Sequence, residues 1–100
     1  MNDKFNNVPK DEGVATLLQT QMKFDEYDVL YEQWIWDGIY GESIIFVEAE
    51  LPHMTDEALE DFVAVSPIVK AKENITISRG KNGYIFVNFN FKVLEDMEDE

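Results

Sequence analysis

The segment FDEYDVLYEQWIWDG, residues 24 to 38, decides the fold because two hydrophobic periods fit it. As a helix, it would begin at the capping residue Asp25 and carry its large apolar side chains along one stripe. As a strand from about 27 to 36, its aromatic and β-branched residues suit a pleated surface, and a turn from Gly38 to Gly41 would lead into another strand. We favour the strand.

The strand interpretation gives this segment one mixed face. Side chains alternate along a strand, so Leu30, Trp34 and Trp36 would share a face with Asp28 and Glu32. Tryptophan is buried on average, but an exposed one is a frequent anchor in protein interfaces. Trp34 or Trp36 is therefore the expected anchor for a binding partner.

Two helices are expected outside this segment. Residues 11 to 23, DEGVATLLQTQMK, have Asp11 as a cap and apolar residues at roughly helical spacing. Residues 54 to 67, MTDEALEDFVAVSP, carry stronger signals: Thr55 is a good cap, and Ser-Pro ends the pattern. In this second helix Leu59, Phe62 and Val63 are expected to face inward.

Three further strands are expected. Residues 42 to 51, ESIIFVEAEL, form a run of suitable length that ends before Pro52. NITIS at 74 to 78 and YIFVNFNFKVL at 84 to 94 read as a hairpin joined by RGKNG. Alternation in its second strand predicts one core face, made of Ile85, Val87, Phe89, Phe91 and Val93.

These elements predict an α+β fold with an antiparallel sheet of about four strands, in the order α-β-β-α-β-β, and helices packed on the sheet. The length suits one domain spanning residues 1 to 100, with flexible ends at about 1 to 10 and 95 to 100. The start has no apolar signal region, and no apolar run is long enough for a membrane span. A cytoplasmic location is therefore expected.

The formal net charge of −13 argues against direct binding to nucleic acid or to an anionic membrane. The distribution of charge is uneven. Residues 24 to 69, which we call the acid window, contain no lysine or arginine, whereas residues 70 to 92 are mainly basic and the tail EDMEDE is acidic again. Such a field is suited to a basic partner.

Enzymatic classes find little support in the sequence. His53 is the only histidine, cysteine is absent, and neither a calcium-loop pattern nor a phosphate-binding glycine motif occurs. A glycosidase-type mechanism needs only two suitably placed carboxylates, but in a chain with this many acids the presence of such a pair is almost no evidence for it. We therefore expect no catalytic residues, no metal site and no cofactor.

The spacing of the acids suggests mimicry of phosphates. Carboxylates two apart on a strand lie about 6.6 Å apart, and those four apart on a helix have Cβ atoms about 5 to 6 Å apart. Nucleic-acid phosphates repeat every ~3.4 Å of helix axis, with larger true separations. The candidate partner-binding residues are Trp34 or Trp36 as anchor, with the acids Asp28, Glu32, Glu48, Glu50, Asp56, Glu57, Glu60 and Asp61.

In size, charge and acidic tail, the chain resembles the small acidic inhibitors of phages and mobile elements, including DNA mimics that block restriction or CRISPR proteins. This resemblance implies a non-enzymatic inhibitor of a basic nucleic-acid-binding protein, and no particular residue carries over from it. Acidic immunity proteins that neutralise nuclease toxins are equally similar. A self-associating structural protein, such as a homodimer that joins the basic segment 70 to 92 of one copy to the acid window of the other, is a third alternative.

Overall fold

The fold is a five-stranded antiparallel sheet with one α-helix on one face, as seen in a computed structural model that describes residues 3–94. The strands lie in the order β1-β2-β3-β5-β4 across the sheet. Their bounds are Val14–Phe24 (β1), Tyr27–Trp36 (β2), Ile39–Val47 (β3), Thr76–Lys81 (β4) and Tyr84–Val93 (β5), with the helix α1 at Asp56–Ala64. Short 3₁₀ turns lie at Asp3–Phe5, Glu48–Glu50 and Lys72–Asn74.

Two-residue turns explain why neighbouring strands pair with each other. Asp37 and Gly38, between β2 and β3, have φ values of 52° and 76°. Asn82 and Gly83, between β4 and β5, have φ values of 57° and 86°. Positive φ at both central positions is the type I′ geometry, whose twist matches that of the flanking strands. Asp-Gly and Asn-Gly therefore fix these two hairpins locally.

Strand β2 confirms the strand prediction for residues 27 to 36. Val29 is fully buried in the cluster that includes the helix residues Leu59 and Val63, so its side of the sheet is the helix face. By alternation, Trp34 and Trp36 point to the other side, which we call the tryptophan face.

The predicted helix at residues 11 to 23 is wrong, because this segment forms β1. Its pairing with β2 shifts between Thr16 and Leu18, which leaves Leu17 as the extra residue of a β-bulge. The bulge accommodates two leucines that are adjacent in the sequence, Leu17 and Leu18. Two adjacent apolar residues also fit the spacing of a helix, which explains the wrong prediction. Beyond the bulge, Leu18, Thr20 and Met22 alternate as in an ordinary strand.

The predicted single core face of β5 is wrong in its second half. Ile85, Val87 and Phe89 are buried on the helix face as expected. The pairing with β3 then shifts, and Asn90 has a φ of 56°. After this irregularity, the ring centroid of Phe91 lies 6.1 Å from that of Trp34 on the tryptophan face, and Val93 is exposed.

Helix α1 confirms the prediction of a helix capped by Thr55. The Thr55 hydroxyl accepts a hydrogen bond from the backbone N–H of Ala58 at 3.1 Å. Leu59 and Val63 are fully buried and Phe62 packs beside them, so the predicted inward stripe is also confirmed.

The predicted fold class, α+β with about four strands in the order α-β-β-α-β-β and several packed helices, is therefore wrong. The residues expected to form the first helix supply a fifth strand, and α1 is the single α-helix within residues 3–94. The sheet, rather than a helical layer, is the main element of the described chain.

The N-terminal segment, predicted to be a loose end, packs against the tryptophan face. Phe5 is buried in a cluster with Leu30, Ile45 and Tyr84. The Tyr84 hydroxyl donates a hydrogen bond to the backbone carbonyl of Lys4 at 2.5 Å. Residues 95 to 100, the other expected flexible end, lie outside the described part of the chain.

We expect Phe5→Ala to lower the free energy of unfolding by about 2 to 4 kcal/mol, because it removes a buried aromatic side chain. Asn6→Ala alters the exposed neighbouring residue and should change it by less than about 0.5 kcal/mol. Urea unfolding of both variants measures the difference. Equal stability of the two variants would show that this segment does not support the sheet.

Candidate functional site

A concavity of about 720 Å³ lies on the tryptophan face beside the N-terminal segment. This volume falls in the range of ordinary ligand and side-chain pockets. Strand residues form its floor, and residues 9 to 11 line one margin. Its lining includes the side chains of Glu32, Trp34, Trp36, Ser43, Lys81 and Asn88.

A chain of hydrogen bonds crosses four strands on the floor of this concavity. The Trp34 indole N–H donates to Ser43 Oγ at 2.7 Å, and the Ser43 hydroxyl donates to Asn88 Oδ1 at 2.6 Å. The Asn88 amide donates to Thr76 Oγ1 at 3.3 Å. Ser43 is buried, and these hydrogen bonds satisfy both the donor and the acceptor of its hydroxyl. The indole orientation is thus set by a polar network rather than by packing alone.

Gly41 allows the Trp34 indole to lie flat against β3. The two residues are paired across β2 and β3. A Cβ atom at Gly41 would come within 2.9 Å of Cε2 of the indole and nearer still to other ring atoms. The absence of a side chain is therefore what permits this close approach, and it leaves the indole as a flat platform on the concavity floor.

Trp36 forms the outer part of the same surface. It is 47% exposed and pairs with Val14 at the beginning of β1. Large, rigid, amphipathic side chains of this kind are favoured at interface centres. Of the two predicted anchors, Trp36 is accessible and Trp34 is half-buried.

Asp28 and Glu50 meet at one lysine. Lys4 Nζ lies 3.2 Å from Asp28 Oδ2 and 2.9 Å from Glu50 Oε1, and Lys23 Nζ lies 2.9 Å from Asp28 Oδ1. The hydrogen bond from Lys23 and then that from Lys4 hold the pKa of Asp28 below its usual value. Both carboxylates are thus neutralised by ion pairs within the same molecule.

The predicted strand spacing of Glu48 and Glu50 is wrong. β3 ends at Val47, and the two glutamates belong to a 3₁₀ turn. Side chains in such a turn do not share one side as alternate strand residues do. Glu48 is exposed, and its backbone N–H donates to the carbonyl of Gly83 at 2.9 Å.

The helix acids are less uniformly unpaired than the sequence suggests. Asp56 Oδ1 accepts a hydrogen bond from Arg79 Nε at 2.6 Å, and Arg79 Nη2 also bonds the carbonyl of Met54 at 2.7 Å. The other three acids of α1 make no ion pair with any described residue. They are Glu57, Glu60 and Asp61.

The predicted site residues divide between the two sides of the sheet. Asp28, Glu32, Trp34 and Trp36 share the tryptophan face, as the strand interpretation of residues 27 to 36 required. The acids of α1 lie on the covering helix, on the opposite side. The sheet therefore separates the predicted anchors from the predicted helix acids, and one flat partner surface cannot touch both.

A second polar cluster lies on the helix face and was not predicted. The Glu42 carboxylate accepts hydrogen bonds from Tyr31 at 2.8 Å, Tyr40 at 3.2 Å and the amide of Asn90 at 3.1 Å. Burial raises the pKa of Tyr31 to about 12, and the bond to Glu42 adds to this effect. Burial, reinforced by Glu42, also raises the pKa of Tyr40. The Glu42 carboxylate is therefore held by neutral hydrogen-bond donors and not by a cation of the described chain.

The sequence held a signal for some of the missed residues. The predicted turn from Gly38 to Gly41 is wrong, because β3 already begins at Ile39, and a glycine inside a strand, as Gly41 is, often marks a close approach of backbone and side chain. Asn88 lies between the apolar residues Val87 and Phe89, which is typical of a polar side chain that has a buried partner, whereas Ser43 follows Glu42 and carries no comparable signal. Their pairing with Trp34 depends on strand register, which one segment alone does not reveal.

Within residues 3–94, no group of three or more His, Asp or Glu side chains is placed to hold a metal ion. Among the same residues, the one α-helix is too short to cross a membrane. Comparison with protein-family models, with curated proteins and with solved structures gives no match. The chemistry of the surface is therefore the basis for a functional proposal.

We expect Gly41→Ala to destabilise the fold by about 1 to 3 kcal/mol, because the new methyl group overlaps the Trp34 indole. The same substitution in a Trp34→Leu background should cost less than about 0.5 kcal/mol, since the obstructing ring is gone. Urea unfolding of the four chains closes this cycle. Equal costs in both backgrounds would contradict the platform arrangement.

Tyr31 should make the protein sensitive to alkali. Its folded pKa of about 12 exceeds the ordinary value of 10.0, so its contribution to stability is complete below pH 10 and is lost as pH rises through about 12. Tyr31→Phe should flatten the decline of the unfolding free energy across this pH range. Tyr27→Phe is the control, because Tyr27 packs against the same core cluster but is not one of the hydrogen-bond donors to Glu42. An unchanged slope in Tyr31→Phe would exclude Tyr31 as the titrating group.

Proposed function

We propose that the chain is a non-enzymatic, cytoplasmic inhibitor that binds a basic nucleic-acid-binding protein and mimics the phosphates of its DNA or RNA. The observation that carries this proposal is a strip of carboxylates without counter-ions at one end of the molecule. We call it the acidic strip, and its members are Asp25, Glu26, Glu57, Glu60 and Asp61.

Aromatic packing joins the two parts of the acidic strip. The Phe62 ring centroid lies 5.3 Å from that of Phe24 and 6.1 Å from that of Tyr27. Phe24 and Tyr27 flank the turn that holds Asp25 and Glu26. The C-terminal half of α1 therefore sits above this turn, and the acids of both elements belong to one end of the fold.

The charge of the strip is uncompensated within the described chain. None of its five carboxylates makes an ion pair with a residue in the range 3–94, and four of the five are exposed. Like charges at i,i+4, such as Glu57 and Asp61, cost about 0.2 to 0.5 kcal/mol. A basic partner would supply the missing counter-charge and would be drawn to the strip over long range.

Helical spacing supports a phosphate-like presentation. Glu57, Glu60 and Asp61 occupy i, i+3 and i+4 positions on the solvent side of α1, whose inner side is formed by Leu59 and Val63. Their separations of about 5 to 6 Å between Cβ atoms are of the order of phosphate spacings. The buried inner side fixes the helix, so the acids are presented on a rigid element.

An immunity protein against a nuclease toxin is the second candidate function, and the tryptophan face favours it. The exposed Trp36 borders a concavity able to receive one partner side chain. Glu32, on the same face, accepts a hydrogen bond from Gln19 at 2.5 Å and retains a second carboxylate oxygen for a basic group. Such a site would select one partner by shape rather than compete generally with nucleic acid.

The decisive experiment is capture of bacterial proteins on the tagged chain, followed by washing with excess duplex DNA. A captured nucleic-acid-binding protein that DNA displaces would support the mimic. A captured partner that is displaced neither by this wash nor by a parallel wash with excess RNA would contradict mimicry and favour the immunity protein.

Charge-matched variants should separate the two faces. The first variant removes three charges from the strip by combining Glu57→Gln, Glu60→Gln and Asp61→Asn. We expect it to weaken partner binding by about ten-fold or more, because each exposed ion pair with the partner contributes up to about 1 kcal/mol. Glu12→Gln with Asp37→Asn and Glu73→Gln removes the same number of charges from exposed positions elsewhere. This control should bind almost as the parent chain does.

Binding of the captured partner is measured by calorimetry for both triple variants and for Glu32→Gln with Trp36→Ala. Equal weakening by the two triple variants would mean that only net charge matters and would overturn the role of the strip. A loss confined to the Glu32 and Trp36 variant would transfer the site to the tryptophan face.

A further inference from the structure

The two edges of the sheet are protected to very different degrees. Strand β4 has six residues, carries Arg79 and Lys81, and shifts its pairing at a bulge that contains Gly80 with a φ of 81°. Its Arg79 is also tied to α1. Charge, a bulge and a covering element are the usual means by which proteins block edge pairing. The β4 edge is therefore closed to another strand.

Strand β1, at the other edge, has little of this protection. It has eleven residues, and its single described neighbour in the sheet is β2. No charged residue occurs from Gly13 to Met22, although the whole chain carries −13. Leu17 and Leu18 are 54% and 45% exposed. A long, uncharged edge with exposed leucines has free backbone N–H and carbonyl groups and is a template for a further strand.

We propose that β1 is a homodimer interface in which the β1 strands of two copies pair antiparallel about a two-fold axis and form a continuous ten-stranded sheet. The edge itself fits a second copy, because two β1 edges placed antiparallel offer each other the same unpaired backbone donors and acceptors. Two chains that each carry a net charge of −13 repel one another over most of their surfaces. The β1 edge is a place where two copies can meet without bringing carboxylates together. An antiparallel strand pair is also compatible with the two-fold symmetry that most homodimers adopt.

The bulge at Leu17 limits this pairing to the regular part of β1. Only the part of β1 beyond the bulge alternates regularly, with Leu18, Thr20 and Met22 on the helix face. A two-fold axis at Thr20 would set Leu18 opposite Met22 of the second copy, and Gln19 opposite its Gln21. Residues on the same face of the sheet then meet across the interface, as antiparallel pairing requires.

Sedimentation equilibrium over a concentration series tests the interface. We expect the parent chain to reach twice its mass of 11.6 kDa. Thr20→Lys, which would place two like charges opposite each other at the axis, should remain a monomer at the same concentrations. Val65→Lys is the control, because it adds the same charge at an exposed apolar residue of the helix end and should dimerise as the parent does.

A salt series distinguishes this dimer from an assembly driven by opposite charges. Salt screens the repulsion between two acidic copies, so it should strengthen pairing through β1. Weakening by salt would instead indicate contact between the basic segment 70 to 92 and the acid window, and would overturn the proposal. A parent chain that stays monomeric, or a Thr20→Lys chain that still dimerises, would overturn it equally.

Discussion

The burial of three consecutive residues in the central strand is the constraint on which the rest of the structure depends. Ile44, Ile45 and Phe46 are 0%, 0% and 1% exposed, although neighbours in a strand point to opposite faces. Each side of the sheet therefore needs its own cover. Helix α1 covers Ile44 and Phe46, and the N-terminal segment covers Ile45 through Phe5.

This double cover determines where polar and charged groups can lie. The N-terminal segment is smaller than a helix, so part of the tryptophan face remains open as the concavity beside Trp34 and Trp36. On the other side, α1 turns its buried stripe to the sheet and its acids to solvent. The proposed function depends on this second surface, because Glu57, Glu60 and Asp61 are held there on a rigid element and make no ion pair with a described residue.

Local chemistry allowed part of this structure to be predicted. The cap Thr55, the Asn-Gly turn and the composition of residues 27 to 36 each act over a few residues, and the elements they predict are present. Bulges were less accessible, because one extra residue in β1 gives a strand the apolar spacing of a helix. The bulge in β5 similarly carries Phe91 away from the predicted core face.

Contacts between distant residues explain the other errors. Asp56 is 23 positions from Arg79, and Lys4 is 46 positions from Glu50, so a sequence window made both acids seem unpaired. The turn at Glu48–Glu50 similarly depends on the backbone bond from Glu48 to Gly83. The acid window is a true property of the sequence, but Asp28, Glu50 and Asp56 form ion pairs within the described chain, and five of the acids that make no such pair form the acidic strip.

If the chain mimics nucleic acid, the acidic strip and nucleic acid compete for one surface of a basic protein. Titration of the chain into a complex of its captured partner with labelled duplex DNA, followed by fluorescence anisotropy and sedimentation, tests this competition. We expect the DNA to be released as the chain binds, and no species to contain all three components. A stable ternary complex would contradict the proposed competition.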